Sequence, residues 1–90
     1  MAKYVQKPIV IEAWQLLDPR KVWPDWLSDA YRRGLVCYMP KPLEDWLVIR
    51  NRMGSTAVAP EDYIVLDIKG ELHRCERDLF KDMYELYEEE

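Results

Sequence analysis

Residues 59–72, APEDYIVLDIKGEL, decide the fold. Pro60-Glu61 reads as the centre of a β-turn. Tyr63–Ile68 then alternates, with Ile64, Leu66 and Ile68 on one face and Tyr63, Val65 and Asp67 on the other. Lys69-Gly70 reads as a hairpin turn, and Glu71–Glu76 as the returning strand. The stretch therefore predicts an antiparallel hairpin entered through a tight turn. Its five charged side chains, Glu61, Asp62, Asp67, Lys69 and Glu71, are either an active site or the solvated trim of that hairpin.

Working outward, the text before it predicts three further strands. Leu35–Pro40 is short and ends at a proline, Trp46–Arg52 follows the turn around Lys41–Asp45, and Thr56–Pro60 returns beside it. Gly54 is placed to take the backbone conformation that other residues avoid. A first strand covers Lys7–Leu16, with the β-branched run Ile9-Val10-Ile11 expected to be buried on both faces and Pro8 at its beginning or edge. Trp23, Trp26, Leu27, Ala30 and Tyr31 repeat at helical spacing, with Pro24 in the first turn and Gly34 as the stop. A second helix runs from Arg77, with Asp78 as N-cap and Leu79, Phe80, Met83, Tyr84 and Tyr87 on its apolar face. Its end, residues 84–90, is acidic and expected to fray, because Glu88–Glu90 oppose the helix dipole.

The order is β-α-β-β-β-β-β-α. It predicts one α+β domain over residues 1–90: a twisted antiparallel sheet or partly open small barrel with two covering helices. The composition supports a self-sufficient core in 90 residues, at 49% hydrophobic with 4 Trp and 6 Tyr. No cofactor is expected.

Charge excludes some functions. The net charge is −4. The acidity belongs to residues 76–90, with seven acidic and two basic groups, whereas residues 1–35 carry six basic and four acidic. A nonspecific nucleic-acid binder needs a basic surface, so no nucleic-acid partner is expected. No run approaches a membrane span and no export signal is evident, so a cytoplasmic protein without a membrane partner is expected. Cys37 and Cys75 are then expected as reduced thiols.

Three constellations could carry chemistry. His73 and Cys75 lie two apart on one strand face and could serve as base and nucleophile, or with Cys37 as metal ligands. The plainer reading is that they lie side by side without a bond, and no metal is expected. Asp62, Glu71 and His73 are the candidate catalytic groups of a small hydrolase, with Glu12 a further carboxylate. The plainer reading leaves Glu12 and Glu71 on the wet face of the sheet and gives Asp62 to a backbone amide of its own turn. Basic residues of the N-terminal third, Lys3, Lys7, Arg20, Lys21, Arg32 and Arg33, accompany Trp14, Trp23 and Trp26 and could hold a phosphate beside a stacked base. Against this, Trp23 and Trp26 fit the core and Arg32 and Arg33 the helix end, leaving Trp14 and Trp46 as the freer contact residues.

The ordered motifs KYVQKPIVIEAWQ, PDWL and VAPEDYIVLDIKGELHRCERDLFKDMYE resemble a group of small phage and prophage proteins. Those proteins typically open with Lys-Tyr-Arg-Lys-Lys-Pro-Val-x-Ile-Glu-Ala. They continue with a Pro-Gly-Asp-Tyr/Trp-Ile turn and Lys-Gly-Glu, and close with Cys-Lys-Pro-Asp-x-Phe-x-x-Thr-Tyr-Glu. The matches include Lys3, Tyr4, Lys7, Pro8, Glu12 and Ala13, then Pro60, Asp62, Tyr63, Ile64, Lys69, Gly70, Glu71, Cys75, Asp78, Phe80, Tyr84 and Glu85. Two departures stand out. Glu61 replaces the turn glycine, which predicts a type I turn in place of type II. Glu76-Arg77 replaces Lys-Pro at the helix entry.

The resemblance implies a phage product acting in an infected bacterial cytoplasm, and it carries no catalytic assignment. The expected function is a non-enzymatic accessory protein that modulates a host process or defence. It would bind a host protein or sequester a small nucleotide-like molecule through Glu12, Trp14, Lys69 and Glu71. The alternatives are a hydrolase of nucleotide-type signals and an assembly module acting as a homo-oligomer.

Overall fold

In the computed structural model, residues 2–4 and 9–86 are described. The elements follow the expected order: β1 (Glu12–Gln15), α1 (Asp25–Arg32), β2 (Val36–Tyr38), β3 (Leu47–Asn51), β4 (Gly54–Val58), β5 (Tyr63–Leu66), β6 (Leu72–Cys75) and α2 (Arg77–Met83). The α+β class holds. The six strands divide between two three-stranded antiparallel sheets, β1-β5-β6 and β2-β3-β4, and the structure is not closed into a barrel. The expectations for Lys7, Pro8, Tyr87 and Glu88–Glu90 lie outside the described residues.

The sheets bury their facing sides against each other and against α1. In the first sheet Trp14 pairs with Ile64 and Leu66 with Leu72, placing these side chains on the core side. In the second, Val36 pairs with Ile49 and Leu47 with Val58. Leu16, Leu27, Ala30, Val36, Leu47, Ile49, Val58, Ile64 and Leu72 form one buried cluster, with Trp14, Trp23, Trp26, Leu35 and Leu66 packed around it. Side-chain bonding also joins the sheets. Asn51 Nδ2 donates to the Leu72 carbonyl (2.8 Å), while its Oδ1 accepts the Met53 amide (2.8 Å) and closes the β3-β4 hairpin.

Helix α1 contributes Leu27 and Ala30 to the core, as its periodicity requires. Pro24 is its N-cap, one position before the expected first turn, and its carbonyl accepts the Leu27 and Ser28 amides. At the other end Gly34 has φ +78°; its amide reaches the Tyr31 carbonyl and the Leu35 amide reaches that of Ala30. These two bonds satisfy carbonyls that would otherwise end the helix unpaired, the Schellman arrangement. Helix α2 buries no residue, so its predicted apolar face is a fringe: Leu79 and Met83 are exposed, and Phe80 stacks on Tyr63 at 3.7 Å. Its N-cap is Glu76 and not Asp78. The Glu76 carboxylate accepts the Asp78 and Leu79 amides, both at 3.2 Å.

Three further expectations fail, each for a physical reason visible in the bonding. The Ile9–Ile11 run is not a strand, and Ile9 and Val10 are exposed. β1 starts at Glu12 opposite Leu66. One step earlier its partner would be Asp67, where β5 has already ended and the chain turns: the Asp67 carbonyl accepts the Gly70 amide (3.0 Å), so the partner strand leaves the sheet. The β5-β6 connection is a three-residue loop, Ile68–Gly70, closed by Gly70 N–H to the Asp67 carbonyl (3.0 Å) with Gly70 at φ +83°. This is a type I turn followed by a left-handed glycine, and it leaves Ile68 exposed in the loop.

The third concerns Glu61, whose φ is +78°. The Asp62 amide donates to the Ala59 carbonyl (3.0 Å), so Glu61 is the third residue of a β-turn. Proline holds the second residue at negative φ. A positive φ after it is the type II form, which a type I expectation excluded. The site tolerates glutamate because tertiary bonds hold it. The Glu61 amide donates to Leu16 (2.7 Å), Gln15 Nε2 donates to the Glu61 carbonyl (3.1 Å), and the Glu61 carboxylate accepts Arg77 Nη1 (2.8 Å). Left-handed backbone costs a side-chain-bearing residue roughly 1–2 kcal/mol. Glu61→Gly is therefore expected to retain or raise stability, whereas Glu61→Val lowers it. Chemical denaturation of the two variants should separate them by at least ~1 kcal/mol in favour of glycine.

Candidate functional site

The charges of the opening stretch divide into three groups. Asp62, at 6% exposure, is the one buried charged residue among those described. Its Oδ2 accepts the Ala59 amide (3.0 Å) and Arg74 Nε (2.8 Å). It is a turn clamp, as the plainer reading held, with an added arginine.

Asp67 organises the β5-β6 loop. Oδ1 accepts the Lys69 and Glu71 amides, both at 2.9 Å, and Oδ2 lies 2.7 Å from His73 Nε2. The Glu71 amide, then the His73 side chain, hold the Asp67 carboxyl below its ordinary range. Alternation alone makes Asp67 one residue of a strand face. The visible signal was an aspartate opening a turn, where its side chain can bond amides two and more residues on.

Glu71 belongs to the third group. Its Oε1 is ion-paired with Arg52 Nε at 3.2 Å, and its Oε2 accepts the Arg52 amide, also at 3.2 Å. These contacts lie in an open cleft of about 450 Å³ lined by Arg33, Leu35, Arg50, Asn51, Arg52 and residues 69–71. Three separate pieces of chain build it. The end of α1 delivers Arg33 and Leu35, the β3-β4 hairpin delivers residues 50–52, and the loop held by Asp67 delivers Lys69, Gly70 and Glu71. The Arg50 amide donates to the Leu35 carbonyl (2.8 Å), which locks the first two pieces together.

Four basic residues and one acidic residue line this cleft. Arg33 shares Asp29 at 3.6 Å and Arg52 holds Glu71, whereas Arg50 and Lys69 have no ion-pair partner among the described residues. A chain of net charge −4 thus carries a locally cationic concavity. Such a surface concentrates anions, and Arg50 and Lys69 are the cations left to meet anionic oxygens.

The predicted binding set is split. Lys69 and Glu71 line this cleft. Glu12 instead opens on a second cleft of about 480 Å³ with Pro24, Asp25 and Trp26. Trp14 packs at the core edge, 6.0 Å from the Trp23 ring, in an aromatic group that continues to Tyr31 and Tyr38. Trp46 is half-buried. Arg33, Arg50 and Arg52 were not singled out together, because no spacing in the chain foretells that a helix end and a hairpin tip meet.

The catalytic set is also dispersed. Arg74 and His73 are neighbours on β6 and point to opposite faces; Asp62 is bonded to the first and Asp67 to the second. Of Asp62, Glu71 and His73, only Glu71 lines the cationic cleft. His73 and Cys75 share a face, as alternation requires, but the imidazole is engaged by Asp67. Burial, then the adjacent Glu76 carboxylate, push the Cys75 thiol up, which reduces its thiolate fraction. Cys37 and Cys75 are both free thiols, and no three His, Cys, Asp or Glu side chains converge among the described residues. No helix of the described residues is long and apolar enough to cross a membrane.

Comparisons with protein-family models, with curated proteins and with solved structures find no match to this chain.

The Asp67 bonds carry a pH signature. A carboxyl depressed by folding stabilises the fold above its unfolded value, about 3.9, and that contribution disappears as pH falls through the lower folded value. Asp67→Asn is expected to lower the melting temperature at pH 7 and to flatten its fall between roughly pH 5 and pH 2 relative to wild type. Thermal melts followed across that range check both.

Proposed function

We propose that this protein is a non-enzymatic accessory module that captures a small anionic, nucleotide-like molecule in the cationic cleft. The observation that carries the reading is the gathering of Arg33, Arg50, Arg52 and Lys69 around one concavity of an otherwise acidic chain. Its volume falls within the roughly 300–1,000 Å³ of small-molecule sites. Among the described residues no acid, base and nucleophile converge beside the cleft, which favours capture over turnover. In the setting that the sequence resemblance implies, an infected bacterium, withdrawing a host molecule would modulate a host process or defence.

The test uses ADP as probe. Titration into the isotopically labelled protein at low salt should shift the amide resonances of Leu35, Arg50, Arg52 and Gly70 together. The paired substitution Arg50→Ala/Lys69→Ala should weaken binding at least about tenfold, as expected for losing charge-assisted contacts. Phosphorus NMR should return the ADP intact after prolonged incubation. Absence of binding overturns the capture reading, and release of phosphate favours the hydrolase.

A further inference from the structure

We propose that Glu71 is a built-in competitor for the cationic cleft and that it tunes the site to phosphate-bearing dianions over carboxylates. The inference rests on the capture reading above and adds the ligand class and the residue that selects it.

Glu71 is held as a bound anion would be. One carboxylate oxygen takes the main-chain N–H of Arg52 and the other takes its guanidinium, both at 3.2 Å. A main-chain amide paired with a guanidinium is a recurring way to bind an oxyanion. The tip of the β3-β4 hairpin therefore already presents an anion site, and residue 71 of the chain itself fills it. The Glu71 side chain is 24% exposed and that of Arg52 69%, so the pair stands in the open wall of the cleft and not in the core. The Glu71 backbone is fixed independently: its amide donates to Asp67 Oδ1 and its carbonyl accepts the Asp67 amide. The carboxylate can consequently leave Arg52 without dismantling the loop.

Selectivity follows from what a ligand gains on displacing it. A monocarboxylate exchanges one carboxylate on Arg52 for another and leaves the Glu71 charge nearby, so the exchange brings no net attraction; on Arg50 or Lys69 alone it makes only a single exposed ion pair, which contributes little. A phosphate monoester carries close to two charges at neutral pH on three terminal oxygens. It can replace Glu71 on Arg52 and still engage Arg50 or Lys69, the two cations of the cleft with no ion-pair partner among the described residues. Glu71 thereby raises the threshold that an anion must pass, and singly charged anions fall below it.

Isothermal titration of the full chain at low salt with inorganic phosphate and with acetate tests this. Wild type should bind phosphate and give no measurable heat with acetate. Glu71→Gln, which keeps the shape and removes the charge, and Glu71→Ala, which removes the group, should each bind phosphate about tenfold tighter. Both should also begin to take up acetate. Circular dichroism melts confirm that each variant is folded. Unchanged or weaker phosphate binding in both variants overturns the competitor role while leaving the anion cleft standing. Acetate binding to wild type as tight as phosphate overturns the selectivity. Failure of all three proteins to bind phosphate overturns this inference together with the capture reading beneath it.

Discussion

The buried carboxylate of Asp62 is the constraint on which the two sheets depend. The chain leaves the second sheet at Val58 and enters the first at Tyr63, so the four residues between them set how the sheets meet. Asp62 holds that crossing from three sides. Its carboxylate accepts Ala59 N–H and Arg74 Nε, and its carbonyl accepts the Leu16 amide at 2.8 Å. Turn, β6 and the end of β1 are thus tied through one residue. A buried carboxylate is tolerated only when paired and hydrogen-bonded, and removing one partner leaves the other uncompensated. The left-handed strain at Glu61 is sustained in the same place, because the bonds from Gln15, Leu16 and Arg77 hold the neighbouring residue.

This crossing matters for the cleft although it lies elsewhere. Once the sheets are docked, Asn51 at the tip of β3-β4 meets the start of β6 through the Leu72 carbonyl. That contact brings Arg50 and Arg52 beside the loop bearing Lys69 and Glu71. Asp67 fixes the loop, and the Schellman turn after α1 fixes Arg33 and Leu35. The cleft is therefore built on three rigid ends, which lowers the ordering cost of any anion it takes.

Much of the fold was legible because its local grammar is strong. Period-two alternation marked β5, helical spacing marked α1, and Gly34, Gly54 and Gly70 all take the positive φ that their turns require. Expectation and structure part where a local rule meets a tertiary demand or a better-placed local competitor. Ile9–Ile11 looked like a buried strand from its branching alone, yet the partner strand turns away at Asp67. Asp78 looked like a cap, yet Glu76, two residues earlier, reaches the free amides. Glu61 argued for a type I turn, and contacts from β1 and α2 impose the other form.

Local interactions act within a few residues, so the order of elements, their antiparallel character and the turn chemistry of Asp62 and Gly70 were determined by the sequence alone. Which carboxylates became structural and which faced a cleft was decided only in three dimensions. Asp62, Asp67 and Glu71 are alike in the sequence and end with different partners: an arginine on β6, a histidine on the opposite face, and the arginine of another sheet. The cationic cleft is the same kind of outcome. Arg33, Arg50, Arg52 and Lys69 span three elements, and their meeting depends on sheet docking, a long-range packing event that no spacing along the chain encodes.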